Sequence, residues 1–96
     1  MTIEELSKKA IHRPGMDLYS VEDAILLVNL CRQTSLPVLG IDAFTFLEGG
    51  IRPDMGNSID LSTKKYDKFK EEEKYDLAIQ FLVDRRKLNF VYEIVY

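Results

Sequence analysis

Few residues of this 96-residue chain could carry chemistry. It has one histidine, His12, and one cysteine, Cys31. A zinc site needs several such ligands and a general base needs placed partners, so the sequence predicts no metal, no cofactor and no enzymatic activity. Cys31 lies in an apolar helical pattern, which indicates a small buried side chain rather than a reactive thiol. No glycine-rich stretch matches a phosphate-binding loop.

Asp42 is the most informative polar residue, because it lies in residues 36–50, the longest stretch typical of a β-strand. An unpaired charge buried there would be costly, so two interpretations stay open. Asp42 either pairs with a Lys, an Arg or loop N–H groups, or it contacts a partner from an exposed sheet face. Glu48 is roughly 20 Å further along an extended strand, too far for a hydrolytic carboxylate pair.

Composition and charge limit the function classes. The chain has 46% hydrophobic residues and the length of one domain, so we expect a single domain over residues 1–96. Its 16 acidic residues outnumber the 13 basic ones, and the basic residues are interleaved with acids, which argues against nucleic-acid binding. The sequence contains neither a membrane-spanning run nor a signal-like start, which favours the cytoplasm.

Periodicity and cap signals predict six main elements and one further short strand within a loop. A short helix begins at the capping box Thr2–Glu5 and ends near residue 13, and an enclosed helix follows from the N-cap Ser20 to about residue 33. Strands are predicted at residues 36–48, from residue 51, near residues 58–61 and at residues 88–96, with a helix at residues 66–87. Pro53 marks an edge strand, since proline cannot donate to a ladder.

These elements predict an α+β fold of order α-α-β-β-α-β, in which a small antiparallel or mixed sheet of about three strands packs on three helices. The first predicted strand is central, which gives the strand order 2-1-3. One face of the sheet belongs on the helices. The other is half apolar and has no predicted element to cover it, so it is a candidate interface with a partner or a second copy.

Several stretches together resemble the small immunity proteins of bacterial polymorphic toxin systems, and the group called immunity protein 40 in particular. They are residues 20–25, 36–44, 49–53, 57–60 and 75–82. The resemblance implies a cytoplasmic antidote without enzymatic activity, which binds and blocks a cognate toxin domain. It implies no particular contact residues.

An acidic domain is suited to steer association with a basic toxin such as a nuclease. We therefore expect the contact surface on the side that runs from Asp42 to Asp60. The candidate contacts are the acids Asp42, Glu48, Asp54 and Asp60, with Tyr19 and Tyr66 as aromatic anchors. The alternative function is a homo-oligomeric structural or regulatory domain, such as a homodimer, that uses the uncovered sheet face.

Overall fold

The computed structural model describes every residue from Met1 to Tyr96. Its helices are α1 (Ile3–Ser7), α2 (Val21–Gln33) and α3 (Glu71–Val83), with a 3₁₀-helix at Lys64–Tyr66. Its strands are β1 (Ile11–Arg13), β2 (Met16–Leu18), β3 (Gly40–Leu47), β4 (Gly50–Asp60) and β5 (Val91–Val95). The α+β class and the order of the six predicted elements are confirmed, and the β1–β2 hairpin is an additional element. No helix is both long and apolar enough to cross a bilayer.

The main sheet has the order β4-β3-β5, and both pairings are antiparallel, which confirms the predicted central strand. Pro53 lies in the edge strand β4 opposite Phe44. Phe44 is also paired with Val91 of β5, and its backbone groups point towards that strand. The nitrogen of Pro53 is therefore on the solvent edge, where a missing N–H weakens edge-to-edge pairing.

The core lies between one face of this sheet and the helices. Ser20 caps α2 as predicted, because its hydroxyl accepts from the Asp23 N–H at 3.2 Å. The sheet contributes two alternate residues each of β3 and β5, and these four are buried. The buried cluster includes Leu27, Val28 and Cys31 of α2, Ile41 and Ala43 of β3, Ala78 and Leu82 of α3, and Tyr92 and Ile94 of β5.

The first helix is shorter than predicted and ends at Ser7. Its capping box is confirmed, with the Glu5 N–H donating to the Thr2 hydroxyl at 3.1 Å. The chain then forms the β1–β2 hairpin around Pro14-Gly15, where Gly15 has φ +77°, a conformation that glycine adopts without strain. Pro-Gly ends a helix and turns a hairpin equally well, so the sequence signal was ambiguous.

The third helix was also predicted too long. It begins at Glu71, and Lys70 in extended conformation is its N-cap, with its N–H donating to Glu73 at 3.0 Å. Residues 64–66 form the separate 3₁₀-helix instead. The helix ends at Val83 rather than at residue 87. Charged residues fit both turns and helices, which is why the pattern did not resolve these boundaries.

β4 is one continuous strand interrupted by a bulge of four residues, whereas a loop and a separate short strand were predicted. The register passes from Ile41 opposite Ile59 to Ala43 opposite Asp54, so four residues of β4 are left over opposite the single residue between them. Ser58 closes this bulge, because its hydroxyl accepts from the Ala43 N–H at 2.9 Å and donates to the Asp54 carbonyl at 2.7 Å. A side chain thus replaces a ladder bond.

The hairpin partly covers the second face of the sheet, which was predicted to lack a covering element. Tyr19 forms reciprocal backbone hydrogen bonds of 2.8 Å with Tyr92 and so caps the outer edge of β5. Leu18 is fully buried and Phe44 is 8% exposed, yet neither belongs to the main cluster. They are a second, smaller buried group on the far side of the sheet, and one end of this face stays open to solvent.

The hydroxyl of Tyr92 is buried without a hydrogen-bond partner. An unmade hydrogen bond costs about 1–3 kcal/mol, so we expect Tyr92→Phe to leave the free energy of unfolding unchanged or to raise it by about 1 kcal/mol. Urea denaturation measures this. The matched control is Tyr75→Phe, which removes a 2.7 Å bond to the Leu36 carbonyl and should lose about 1 kcal/mol. A larger loss for Tyr92→Phe than for the control would contradict the expectation.

Candidate functional site

The open end of the second sheet face contains a groove of about 500 Å³. Its exposed apolar side chains are Leu39, Met55 and Val95, which are 44%, 78% and 36% exposed. Its charged part consists of Asp42 and Asp60, and no basic residue lines it. We call these five residues and the space between them the acidic groove. Exposed apolar side chains beside carboxylates that have no basic partner are typical of a binding surface.

The strand register brings the two carboxylates of the acidic groove together. Asp60 lies opposite Gly40, and Asp42 is two residues further along β3 on the same face. Such diagonal neighbours are typically about 7–8 Å apart. The strands approach closely because residue 40 is glycine: a Cβ added there would lie 2.9 Å from the Ile59 carbonyl oxygen. Gly40 therefore permits the close approach of β3 and β4 beside the groove.

Asp60 is oriented and held in its charged form. Its Oδ1 accepts from the Ser62 hydroxyl at 2.5 Å and from the Ser62 N–H at 2.9 Å. These two hydrogen bonds lower the pKa of the Asp60 carboxyl, because they favour the ionised form. Its second carboxylate oxygen has no partner within the chain and remains available to accept from a ligand.

Asp42 faces a like charge. It is paired across the ladder with Glu93 of β5, and neither side chain makes a hydrogen bond or an ion pair. Burial, the Asp42 carboxylate and the Asp17 carboxylate raise the pKa of Glu93, in that order of importance. Like charges directly opposite each other destabilise a sheet, so this part of the fold is under electrostatic strain in the free protein.

The raised pKa of Glu93 predicts a pH dependence of stability. Between the unfolded and folded pKa values the folded state binds more protons, so the free energy of unfolding falls as the pH rises through this window. We expect Glu93→Gln to be more stable than the parent at neutral pH, and the difference to shrink as the pH falls through the raised pKa of Glu93 and to level off near its ordinary value of 4.5. Urea denaturation over a pH series measures it. Glu48→Gln, an exposed carboxylate in a turn, is the control and should show no such convergence.

The structure separates the six predicted contact residues. Asp42 and Asp60 lie in the acidic groove, and Asp54 lines a neighbouring depression that shares Met55 with it. Three others lie elsewhere. Glu48 follows β3 in the turn, Tyr66 is half buried against the core, and Tyr19 is 4% exposed and part of the core.

The apolar half of the acidic groove was missed at the sequence level. Leu39 falls within the predicted strand at residues 36–48, but the strand begins at Gly40, and Val38 is buried whereas Leu39 is exposed. Met55 is in the bulge, which no pattern revealed. The signal that could have identified the site is the alternation in β5, which places Glu93 and Val95 on the second face.

The two other residues that could carry chemistry, Cys31 and His12, lie in surroundings typical of structural roles. Cys31 is fully buried, as predicted, and burial raises the pKa of its thiol to about 11. His12 lies on exposed β1, and its Nδ1 is 2.6 Å from the Asp17 carboxylate. No group of three or more His, Cys, Asp or Glu side chains is arranged to hold a metal ion. In comparisons with family models, curated proteins and solved structures, no match to this chain is found.

Proposed function

We propose that this chain is an immunity protein, which binds a cognate toxin domain in the bacterial cytoplasm and neutralises it by occlusion. The observation that carries the proposal is the acidic groove, where unpaired carboxylates border exposed apolar side chains with no basic residue among them. The resemblance of residues 36–44 and 49–53 to immunity proteins supports the same function.

The groove has both components that a tight protein contact needs. Leu39, Met55 and Val95 offer apolar surface, and covering the part of each side chain that is still exposed contributes about 0.5–2 kcal/mol. The carboxylates steer a basic partner and select against acidic ones. A basic partner would also relieve the repulsion between Asp42 and Glu93, so association removes a strain that the free protein carries.

A basic nuclease domain is the toxin class that this charge pattern fits. Enzymes that act on nucleic acids bind phosphates through clustered Lys and Arg side chains. An acidic groove competes for that same surface. The inhibitor then needs no catalytic group, because covering the substrate-binding surface is sufficient to prevent the toxin from acting.

The test is co-expression with the product of the neighbouring toxin gene. We expect a stable one-to-one complex on co-purification and rescue of growth in cells that produce the toxin. The matched control is Asp42→Lys, which should fold normally and fail to rescue. Absence of both a complex and rescue would overturn the proposal.

Self-association is the second candidate, and one observation favours it. Phe46 and Leu47 at the far end of β3 are each 51% exposed, and the Arg13 guanidinium, 5.9 Å from the Phe46 ring, is the one side chain found stacked there. A dimeric mass in dilute solution that Phe46→Ser converts to a monomer, together with no toxin complex, would favour a homo-oligomeric domain. A monomeric mass would exclude it.

A further inference from the structure

We propose that the acidic groove receives an arginine side chain of the partner, with its aliphatic stem on Leu39 and Val95 and its guanidinium between Asp42 and Asp60. This inference deepens the proposed function and rests on it only for the existence of a protein partner. It names one residue type as the anchor of the contact, and it can be tested without that partner.

The shape of the groove favours a long side chain that is apolar along its length and charged at its end. Leu39, Val95 and Met55 are exposed apolar groups that line the groove together with both carboxylates. Arginine and lysine have this division, because their methylene stems pack on apolar surface while the charged head stays in a polar environment. A purely apolar residue would leave both carboxylates without a partner.

The state of the two carboxylates favours a cation between them. Asp60 is fixed in orientation by Ser62 and keeps one oxygen free, so it is preorganised as an acceptor. Asp42 has no partner and faces Glu93. A cation at this position gains two charge-assisted hydrogen bonds and removes the repulsion between the β3 and β5 carboxylates.

Arginine fits better than lysine because the acceptors lie on two different strands. The planar guanidinium carries five N–H donors and can donate to Asp42 and Asp60 at once. Its weak hydration also lets it lie against Met55 at lower cost than an ammonium group, which is a compact and strongly hydrated charge. We therefore expect discrimination between the two cations.

The experiment is an NMR titration of the ¹⁵N-labelled chain at low salt with acetyl-Gly-Arg-Gly-amide at millimolar concentration. The matched peptides contain lysine, or citrulline, which has the shape of arginine without its charge. We expect saturable shifts of the Gly40, Asp42 and Asp60 amides with arginine, about tenfold weaker binding with lysine, and no saturation with citrulline. Asp42→Asn and Asp60→Asn should each weaken binding by about tenfold, and Glu48→Asn should not.

Shifts of equal size with citrulline, or shifts outside the groove, would overturn the arginine anchor. No saturable shift with the arginine peptide would do the same. These outcomes are independent of the co-expression test. Rescue of growth without arginine binding would support the antidote function and contradict the arginine anchor. Arginine binding without rescue would support the anchor and contradict the antidote function.

Discussion

Replacement of both groove carboxylates, Asp42→Lys with Asp60→Lys, is expected to weaken binding of the toxin partner by about a thousandfold. Truncating or reversing one member of a buried charge pair typically costs one to several powers of ten in affinity, and the double variant also places two cations against a basic surface. Titration calorimetry with the purified toxin domain measures the change.

Asp42→Lys by itself should not destabilise the fold. Lysine at position 42 lies opposite Glu93, so an attractive cross-strand pair replaces a repulsive one. We expect the free energy of unfolding to stay constant or to rise while affinity falls. Opposite changes in stability and binding are typical of a functional site, where residues that a partner requires are unfavourable in the free protein.

The control separates a local contact from net charge. Glu48→Lys with Asp67→Lys changes the net charge by the same amount, and both residues are exposed and lack ion pairs. We expect only a modest decrease in association rate, since distant charges act through steering. An equal loss of affinity in the two double variants would show that overall charge, and not the acidic groove, recognises the toxin.

Gly40→Ala is expected to destabilise the protein by about 1–3 kcal/mol, the usual cost of an extra methyl group in a closely packed site. The added Cβ would meet the Ile59 carbonyl oxygen at 2.9 Å, and a backbone atom in a paired strand cannot move aside cheaply. β3 and β4 must then separate where the groove lies, so partner affinity should fall as well. Urea denaturation and calorimetry measure the two effects.

Gly50→Ala is the matched control for this prediction. An added Cβ at Gly50 meets nothing within 4 Å, and its φ is not in the left-handed region. The substitution should be neutral or slightly stabilising, because alanine restricts the unfolded chain. If both variants lost the same free energy, the close approach at Gly40 would not be the cause.

The sequence was informative where one periodicity extends over a whole element. The pattern of α2 from Val21 to Gln33 and its Ser20 cap identified a buried helix, because 3.6-residue spacing defines a face whatever it packs on. The central position of β3 followed from apolar residues on both of its sides. The position of Pro53 identified the edge strand, since a missing donor excludes the interior of a sheet.

The structure places the predicted contacts Asp42 and Asp60 in one groove, whose other side chains were not predicted. Both stood out because a carboxylate in or beside a strand is costly to bury unless a polar partner or solvent satisfies its charge. The apolar floor could not be recognised, since Leu39 and Met55 have the composition of core residues and their exposure follows from the start of β3 and from the bulge. Tyr19 lies in the core, which its residue type does not reveal, because aromatic residues suit interfaces and cores equally well.

By itself, then, the sequence determined the fold class and the order of the main elements. These depend on local spacing, caps and turn residues, which act between residues close in the chain. Only the tertiary structure decided the hairpin on the second face, the bulge closed by Ser58, and the pairing of Asp42 with Glu93. Those features arise from contacts between distant residues, whose register local patterns do not encode.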